Sequence, residues 1–346
     1  MKQRLKFAIV GYGHIGKRHA EVISGNHDCE LIAIVDVRPK EELSDIDQYD
    51  NVTFFGSIEE FLTSEVGRNV EVVNIATPNG LHADQAIQCL MAKKHVILEK
   101  PMALNATDAQ RLIAVAMEVG KHVFVVMQNR YSSPCIWLKQ LLAGDKLGKV
   151  FLVQINCFWN RDERYYQKGS WHGSKQLDGG TLFTQFSHFV DLMYWYFGDI
   201  SNIQTKFRDF SHQQLTDFED TGVLSFDFVN GGIGCFSYST AVWGKNLESS
   251  ITVIAEKGSL KVTGQYLDNV AYCHIKDYAM QGPVIETPVG THSGNRASAI
   301  NHEFVVKNVV DVILNNSPIN HEVGEGLKIV EIIERIYKSN VSFKTN

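Results

Sequence analysis

Leu5-Lys6-Phe7-Ala8-Ile9-Val10-Gly11-Tyr12-Gly13-His14-Ile15-Gly16 runs from a short apolar segment into glycines spaced G-x-G-x-x-G, and Ile15–Ser24 continues with helical character. Strand, glycine turn and helix form the geometry that seats a dinucleotide pyrophosphate. The glycines at 11 and 13 let the backbone turn and approach the ligand, Gly16 lets helix and strand close together, and the helix N-terminus offers unpaired N–H groups. His14 and Ile15 share that turn. The next apolar run, Leu31–Asp36, ends in an acid 20 residues beyond Gly16, where a carboxylate accepts hydrogen bonds from the adenosine ribose. Asp36, with Val37 after it, repels a 2′-phosphate and favours NAD over NADP; Arg38 is a nearby cation that weighs the other way.

Outward from this turn the first third keeps alternating. Apolar runs at Val72–Ala76, Val96–Leu98 and His122–Met127 lie between helix-like segments at Ile58–Thr63, Ala83–Ala92 and Ala106–Val119. Strands bounded by helices imply βαβ units and a parallel sheet, and runs such as Val72-Val73-Asn74-Ile75-Ala76 lack the polar alternation of a sheet with one wet face. Beyond about residue 145 the pattern changes. Val150–Phe158, Val223–Val229, Ile233–Thr240, Ser250–Ala255 and Ser259–Val262 read as strands, Gln185–Phe197 as a helix, and Asn230-Gly231-Gly232 as a hairpin turn. Helices at Ala297–Leu314 and Gly324–Lys338 close the chain. The fold expected is α/β followed by α+β. Residues 1–125 would form a Rossmann NAD-binding domain with a doubly wound parallel sheet. Residues 126–346 would form a substrate-binding and oligomerisation domain on a large, mostly antiparallel sheet, its last helices free to pack back on the first domain.

The 346 residues carry 33 Lys and Arg against 39 Asp and Glu, a net charge of −6. That argues against nucleic acid as a partner, which calls for a basic patch or stripe. No apolar run reaches the ~18 residues of a membrane span, and Met1–Lys6 with the run after it lacks the length and cleavage site of a secretion signal. The six cysteines have no metal-ligand or disulfide spacing. They read as buried thiols in a reducing compartment, which places the chain in the cytoplasm without a bound metal.

Three further segments make the pattern specific: Ala76-Thr77-Pro78-Asn79-Gly80-Leu81-His82, Glu99-Lys100-Pro101, and Asp178-Gly179-Gly180 leading to His188 and Asp191. With the glycine turn they resemble, in order and over nearly the whole chain, the Gfo/Idh/MocA oxidoreductases (glucose–fructose oxidoreductase, inositol dehydrogenase and relatives). Phe158-Trp159-Asn160-Arg161, Tyr165-Tyr166, Trp171-His172-Gly173, Gln185, Ser187-His188 and Lys245-Asn246-Leu247-Glu248 are similar to a branch of that family, the bacterial UDP-N-acetyl-2-amino-2-deoxyglucuronate dehydrogenases. The resemblance implies oxidation of a sugar 3-hydroxyl with NAD as cofactor in the biosynthesis of surface polysaccharides. A family dehydrogenase of a free sugar or inositol is the alternative, and a non-catalytic dinucleotide sensor a third. Many members carry an aspartate four residues before the histidine; this chain has Thr184 there, a departure shared with the nucleotide-sugar branch.

The chemistry implied needs a hydride acceptor and a proton acceptor, and the protein manages the second. Lys100 and His188 are the catalytic candidates. Lys100 follows a strand at the sheet end where ligands bind, and the family implies a cis Pro101 that sets its direction. Free pKa values of ~10.4 and ~6.5 make neutral His188 the base and protonated Lys100 the stabiliser of alkoxide charge; the reverse assignment stays open, with a depressed lysine. Thr77, Pro78, Asn79, His82, Glu99 and Gln128 are expected along the cofactor. Arg161, Arg164, Tyr165, Tyr166 and Trp171, with Lys100, Thr184 and His188, are expected around a nucleotide-sugar substrate that needs charge pairing and stacking. Asn301-His302-Glu303 reads as helix surface. An antiparallel sheet with one free face would suit a homo-oligomer, a dimer or tetramer.

Overall fold

The computed structural model describes residues 4–49, 51–280 and 301–340. The chain divides into two compact units, one of Met1–Gln128 with Ser298–Val330 and one of Asn129–Ala297 with Glu331–Asn346, as far as these residues are described.

In the first unit β1 (Leu5–Val10), α1 (His14–Gly25), β2 (Cys29–Val35) and β3 (Thr53–Phe55) lead to two short helices, α2 (Ile58–Thr63) and α3 (Glu65–Asn69). Then come β4 (Val72–Ile75), α4 (His82–Met91), β5 (His95–Leu98), α5 (Ala106–Val119) and β6 (Val123–Val125). The six strands form one sheet in the order β3-β2-β1-β4-β5-β6, every pair parallel. β4 is buried at every position, as a strand covered on both faces must be. The register sets Val35, Val10, Ile75, Leu98 and Val125 in one row. The residues after each of them therefore emerge together at the carboxyl edge of the sheet. α1 turns Gly16, His19, Ala20 and Ile23 inward. α9 (His302–Asn315) and the first half of α10 (Val323–Lys338) belong to this unit; the start expected for α9, 297–300, lies outside the described residues.

The second unit begins with α6 (Ser133–Ala143) and β7 (Val150–Phe158), followed by α7 (Thr181–Thr184) and α8 (Ser187–Phe197). Six strands follow: β8 (Ile200–Arg208), β9 (Thr221–Phe228), β10 (Ile233–Ser239), β11 (Glu248–Ala255), β12 (Gly258–Thr263) and β13 (Asn269–Ile275). The sheet runs β13-β12-β11-β7-β10-β9-β8 and is antiparallel except where β7 lies parallel to β10. Gly231 and Gly232, both at positive φ, make the expected hairpin between β9 and β10. Alternation is clean: Leu224, Phe226 and Phe228 are buried, while Val223 and Ser225 are exposed. On the buried side Trp159, Phe186, Phe189, Phe236 and Tyr238 pack ring against ring at centroid distances of 5.1–6.4 Å. At about 1.5–3 kcal/mol for each large apolar side chain removed from water, this cluster is a main source of the unit's stability. Tyr337 of α10 ties into it. Its hydroxyl accepts from Leu182 N–H (3.0 Å) and donates to the buried Glu219 (2.9 Å). Burial pushes that carboxyl up to about 7.

Candidate active site

The glycine turn is built as its spacing requires. Gly11 sits at φ +90°, and a Cβ there would lie 2.7 Å from the Ala76 carbonyl oxygen; one on Gly16 would lie 1.9 Å from that of Gly11. Gly13 caps α1 with no side chain bonded to the helix end and no acid in the first turn. His14 and Ile15 begin the helix. An uncapped N-terminus beside a glycine with open space around it is a fit for a pyrophosphate.

Asp36 follows β2 and is buried, 8% exposed. It accepts from Tyr12 N–H (2.8 Å), from Arg38 N–H (3.0 Å) and from the Arg38 guanidinium (2.9 Å at each oxygen). Burial pushes its carboxyl up, but the bonds from Arg38 and from the two backbone N–H groups outweigh that and hold it below the usual range. Arg38 is therefore occupied by Asp36 rather than offered to a phosphate, and Val37 is 90% exposed beside them. Asp36→Ala is expected to shift the NAD/NADP affinity ratio ~10–100-fold toward NADP, because it removes the repulsion and frees the guanidinium. Fluorescence titration with both reduced cofactors checks this, and an unchanged ratio would count against it.

The loops after β4 and β5 stand beside the glycine turn. Thr77 donates its hydroxyl to Gln85 (2.6 Å), Pro78 precedes a single tight turn, and Asn79 is buried. His82 opens α4 and lies between the Thr77 and Pro101 carbonyls. Lys100 is half-buried and joined to Pro101 by a cis peptide bond. Gln128, buried after β6, accepts from Asn301 at its backbone oxygen (3.3 Å).

Glu99 holds a cluster that no spacing in the chain announces. Its Oε1 accepts from His19 Nε2–H of α1 (2.8 Å) and His302 Nε2–H of α9 (3.3 Å), and the two rings meet edge to face. His302 is fully buried, so the reading of Asn301-His302-Glu303 as helix surface is corrected: the histidine is turned onto Glu99. Burial pushes the Glu99 carboxyl up, and the two histidines outweigh it, holding it well below the usual carboxylate range. Three potential ligand atoms lie within 4.8 Å of one another here. The separations of Glu99 from its two partners are those of hydrogen bonds, which satisfy the carboxylate without an ion.

In the second unit His188 lies on α8 and is the one residue of 181–193 that is not buried. Thr184 donates to the backbone oxygen (2.9 Å) and to the carboxylate of Asp178. The acid absent from position 184 is thus present beside it from the glycine turn at 178, a residue the candidate set omitted. Arg161 donates to Gln185 (2.8 Å) and lies over the rings of Trp159 (4.9 Å) and Tyr165 (5.2 Å). Tyr165, His172 and Trp171 continue as a stack, with centroids 4.2 and 3.8 Å apart. Two expected members stand apart. Arg164 is exposed and paired with Asp162 (2.9 and 3.0 Å), and Tyr166 is buried against His212 and Phe218. Among the six cysteines, Cys235 and Cys273 are half-buried rather than buried, and all six are free thiols.

Two family models match the chain. One, described as an oxidoreductase family with an NAD-binding Rossmann fold, matches residues 5–127; the other, a GFO/IDH/MocA C-terminal domain, matches residues 136–261. Among solved structures the chain is similar to the WlbA dehydrogenase of Bordetella pertussis in complex with NADH and UDP-GlcNAcA, 28% identical, with TM-score 0.85 over 97% of this chain and 96% of that one. The WlbA dehydrogenase of Chromobacterium violaceum, in complex with the same two ligands, is 29% identical, with TM-score 0.85 over 97% and 94%. By sequence the chain is also similar to the inositol 2-dehydrogenase of Salmonella paratyphi B, 28% identical over 238 residues, 64% of this chain and 65% of that protein.

Proposed function

Because the chain belongs to the Gfo/Idh/MocA oxidoreductases, with an NAD-binding Rossmann domain, we propose that it oxidises the 3-hydroxyl of a UDP-N-acetylated sugar uronate, UDP-GlcNAcA, for surface polysaccharide biosynthesis. The observation that carries this reading is the shelf of Arg161, Tyr165, His172 and Trp171. A nucleotide sugar brings a base to stack and a diphosphate and carboxylate to pair with, and a free inositol brings neither. The WlbA dehydrogenases, with that ligand bound, support the same reading. Inositol dehydrogenases among the relatives favour the second reading, a free sugar or inositol.

NAD, which the glycine turn and Asp36 would hold, would supply the hydride acceptor for the substrate carbon. The chain's own residues manage the oxygen and its proton. Lys100 donates a hydrogen bond to the oxygen as alkoxide charge develops. His188 accepts the hydroxyl proton at a ring nitrogen, leaving a ketone, NADH and a proton that passes to solvent. Thr184 and Asp178 brace the segment that carries His188. The chain works in the cytoplasm, where its thiols stay reduced; no helix of the described residues is long and apolar enough to cross a membrane. It assembles as a homo-oligomer through the less buried face of the second sheet. There Ile254, Leu152 and Ile233 lie side by side across β11, β7 and β10, and Ile254 and Ile233 are exposed.

A turnover screen with NAD tests the reading. UDP-GlcNAcA is expected to be oxidised and UDP alone to compete with it, more weakly as salt rises. Rapid oxidation of myo-inositol with no inhibition by UDP would give the second reading its place.

A further inference from the structure

His82 is buried, 1% exposed, and its two ring nitrogens face two backbone carbonyls. Nδ1 lies 2.7 Å from the Pro101 oxygen and Nε2 lies 2.8 Å from the Thr77 oxygen. A carbonyl oxygen accepts and cannot donate, and a neutral imidazole has one N–H and one bare lone pair. In the neutral ring, one nitrogen would set its lone pair against a carbonyl oxygen at hydrogen-bond distance. Turning the ring over puts carbons in those places, and C–H···O contacts sit at about 3.3–3.6 Å. The doubly protonated ring alone satisfies both carbonyls.

Burial is the largest influence and holds the ring below the ordinary imidazole range; the two carbonyls and the charge of Glu99 oppose that shift, and Lys100 adds to it. Glu99 is held ionised by His19 from α1 and His302 from α9. On α4 itself Asp84 faces solvent, tied to Arg111 of α5. Geometry decides the balance, since two donors are required within 2.8 Å of two acceptors.

We propose that His82 is a buried imidazolium whose two N–H groups pin the loop after β4 to the loop after β5, making it a positioning residue for Thr77-Pro78-Asn79 and for Lys100. The role rests on reading these loops as the cofactor-binding and catalytic loops. The proton does not leave during turnover. It is a fixed pin between the two loops.

Neutron diffraction from crystals of the whole protein at neutral pH tests the proton directly. Deuterium at both Nδ1 and Nε2 of His82 is expected, and a bare nitrogen at either position overturns the proposal. The positioning role is read by NADH fluorescence titration of two variants. His82→Leu, with no donor, is expected to bind about tenfold more weakly, and His82→Gln, with one donor group, to recover part of the loss. Should His82→Leu fail to fold, His82→Gln and the neutron map still decide. NADH affinity within twofold of wild type in the folded variants would overturn the role. Neither readout uses a sugar substrate, so a wrong substrate assignment appears only in the turnover screen.

Discussion

Lys100→Met and His188→Asn are each expected to lose turnover by roughly 10²–10⁴-fold, the range that general acid–base catalysis supplies, while NADH affinity stays close to wild type. The separation follows from where the residues sit. The pyrophosphate and ribose contacts are expected from the turn at Gly11, Gly13 and Gly16 and from Asp36, not from either of these two side chains. Lys100 stands half-buried between the ionised Glu99 and the cis bond to Pro101. A methionine there keeps the length and apolar stem and removes only the ammonium. His188 is the single opening in an otherwise buried stretch, so asparagine in its place disturbs little packing. The pH profile of kcat/KM then assigns the roles. The acidic limb is expected to vanish in whichever variant lacks the base, and its loss in His188→Asn assigns the proton to the imidazole. Near-normal turnover in both variants would remove these residues from the mechanism.

A second large effect is expected in stability. Arg130 and Asp191 form an ion pair in the second unit, with Arg130 2% and Asp191 4% exposed. Nε of the arginine reaches both carboxylate oxygens at 3.1 Å, one terminal nitrogen reaches Oδ1 at 2.6 Å, and the guanidinium lies 5.3 Å from the centroid of the Trp195 ring. Arg130→Met leaves the Asp191 carboxylate buried without its counter-charge, and breaking such a pair costs about 3–5 kcal/mol. The double variant Arg130→Met with Asp191→Leu is expected to recover most of that, because two charges of opposite sign leave together. Urea unfolding of the two single variants and the double checks the cycle. A single variant within about 1 kcal/mol of wild type, the ordinary range for an exposed pair, would show that water reaches this site.

The parallel sheet was legible because its longer strands are compact apolar runs with clear ends, as Leu5–Val10 stops at Gly11 and Leu31–Val35 at Asp36. The strands missed are poor in that signal. β3 has three residues at a sheet edge, and β8 and β13 are the two edges of the second sheet, with Ser201, Asn202, Gln204 and Lys206 in one and little burial in the other. α6 was missed too: it is apolar over most of its turns and shows weak sidedness. The parallel pairing of β7 with β10 has no local signature, since alternation tells which face a strand buries and not which neighbour it takes. The site divides the same way. The glycine turn, Asp36, Lys100 and His188 are local motifs. Glu99 is local as well, but its partners lie 80 and 203 residues away, and His302 sits between two polar residues that disguise a buried side chain.

The position of β7 also sets an order in time. It is the first strand of its sheet to be made and lies near the middle of it, and Ile155 pairs with Phe236 and Ile251, which come 81 and 96 residues further along. At about 5–20 residues per second on the ribosome, the strand waits ~4–20 s for its partners. During that wait Val150-Phe151-Leu152-Val153 is an apolar stretch with both edges unpaired. The first unit's six strands are already complete by then, and the second can close only when synthesis has passed β11. A pause in translation between β7 and β10 therefore prolongs the interval in which nascent chains can pair with one another, and slowing synthesis there should cost soluble yield where slowing it after β11 does not.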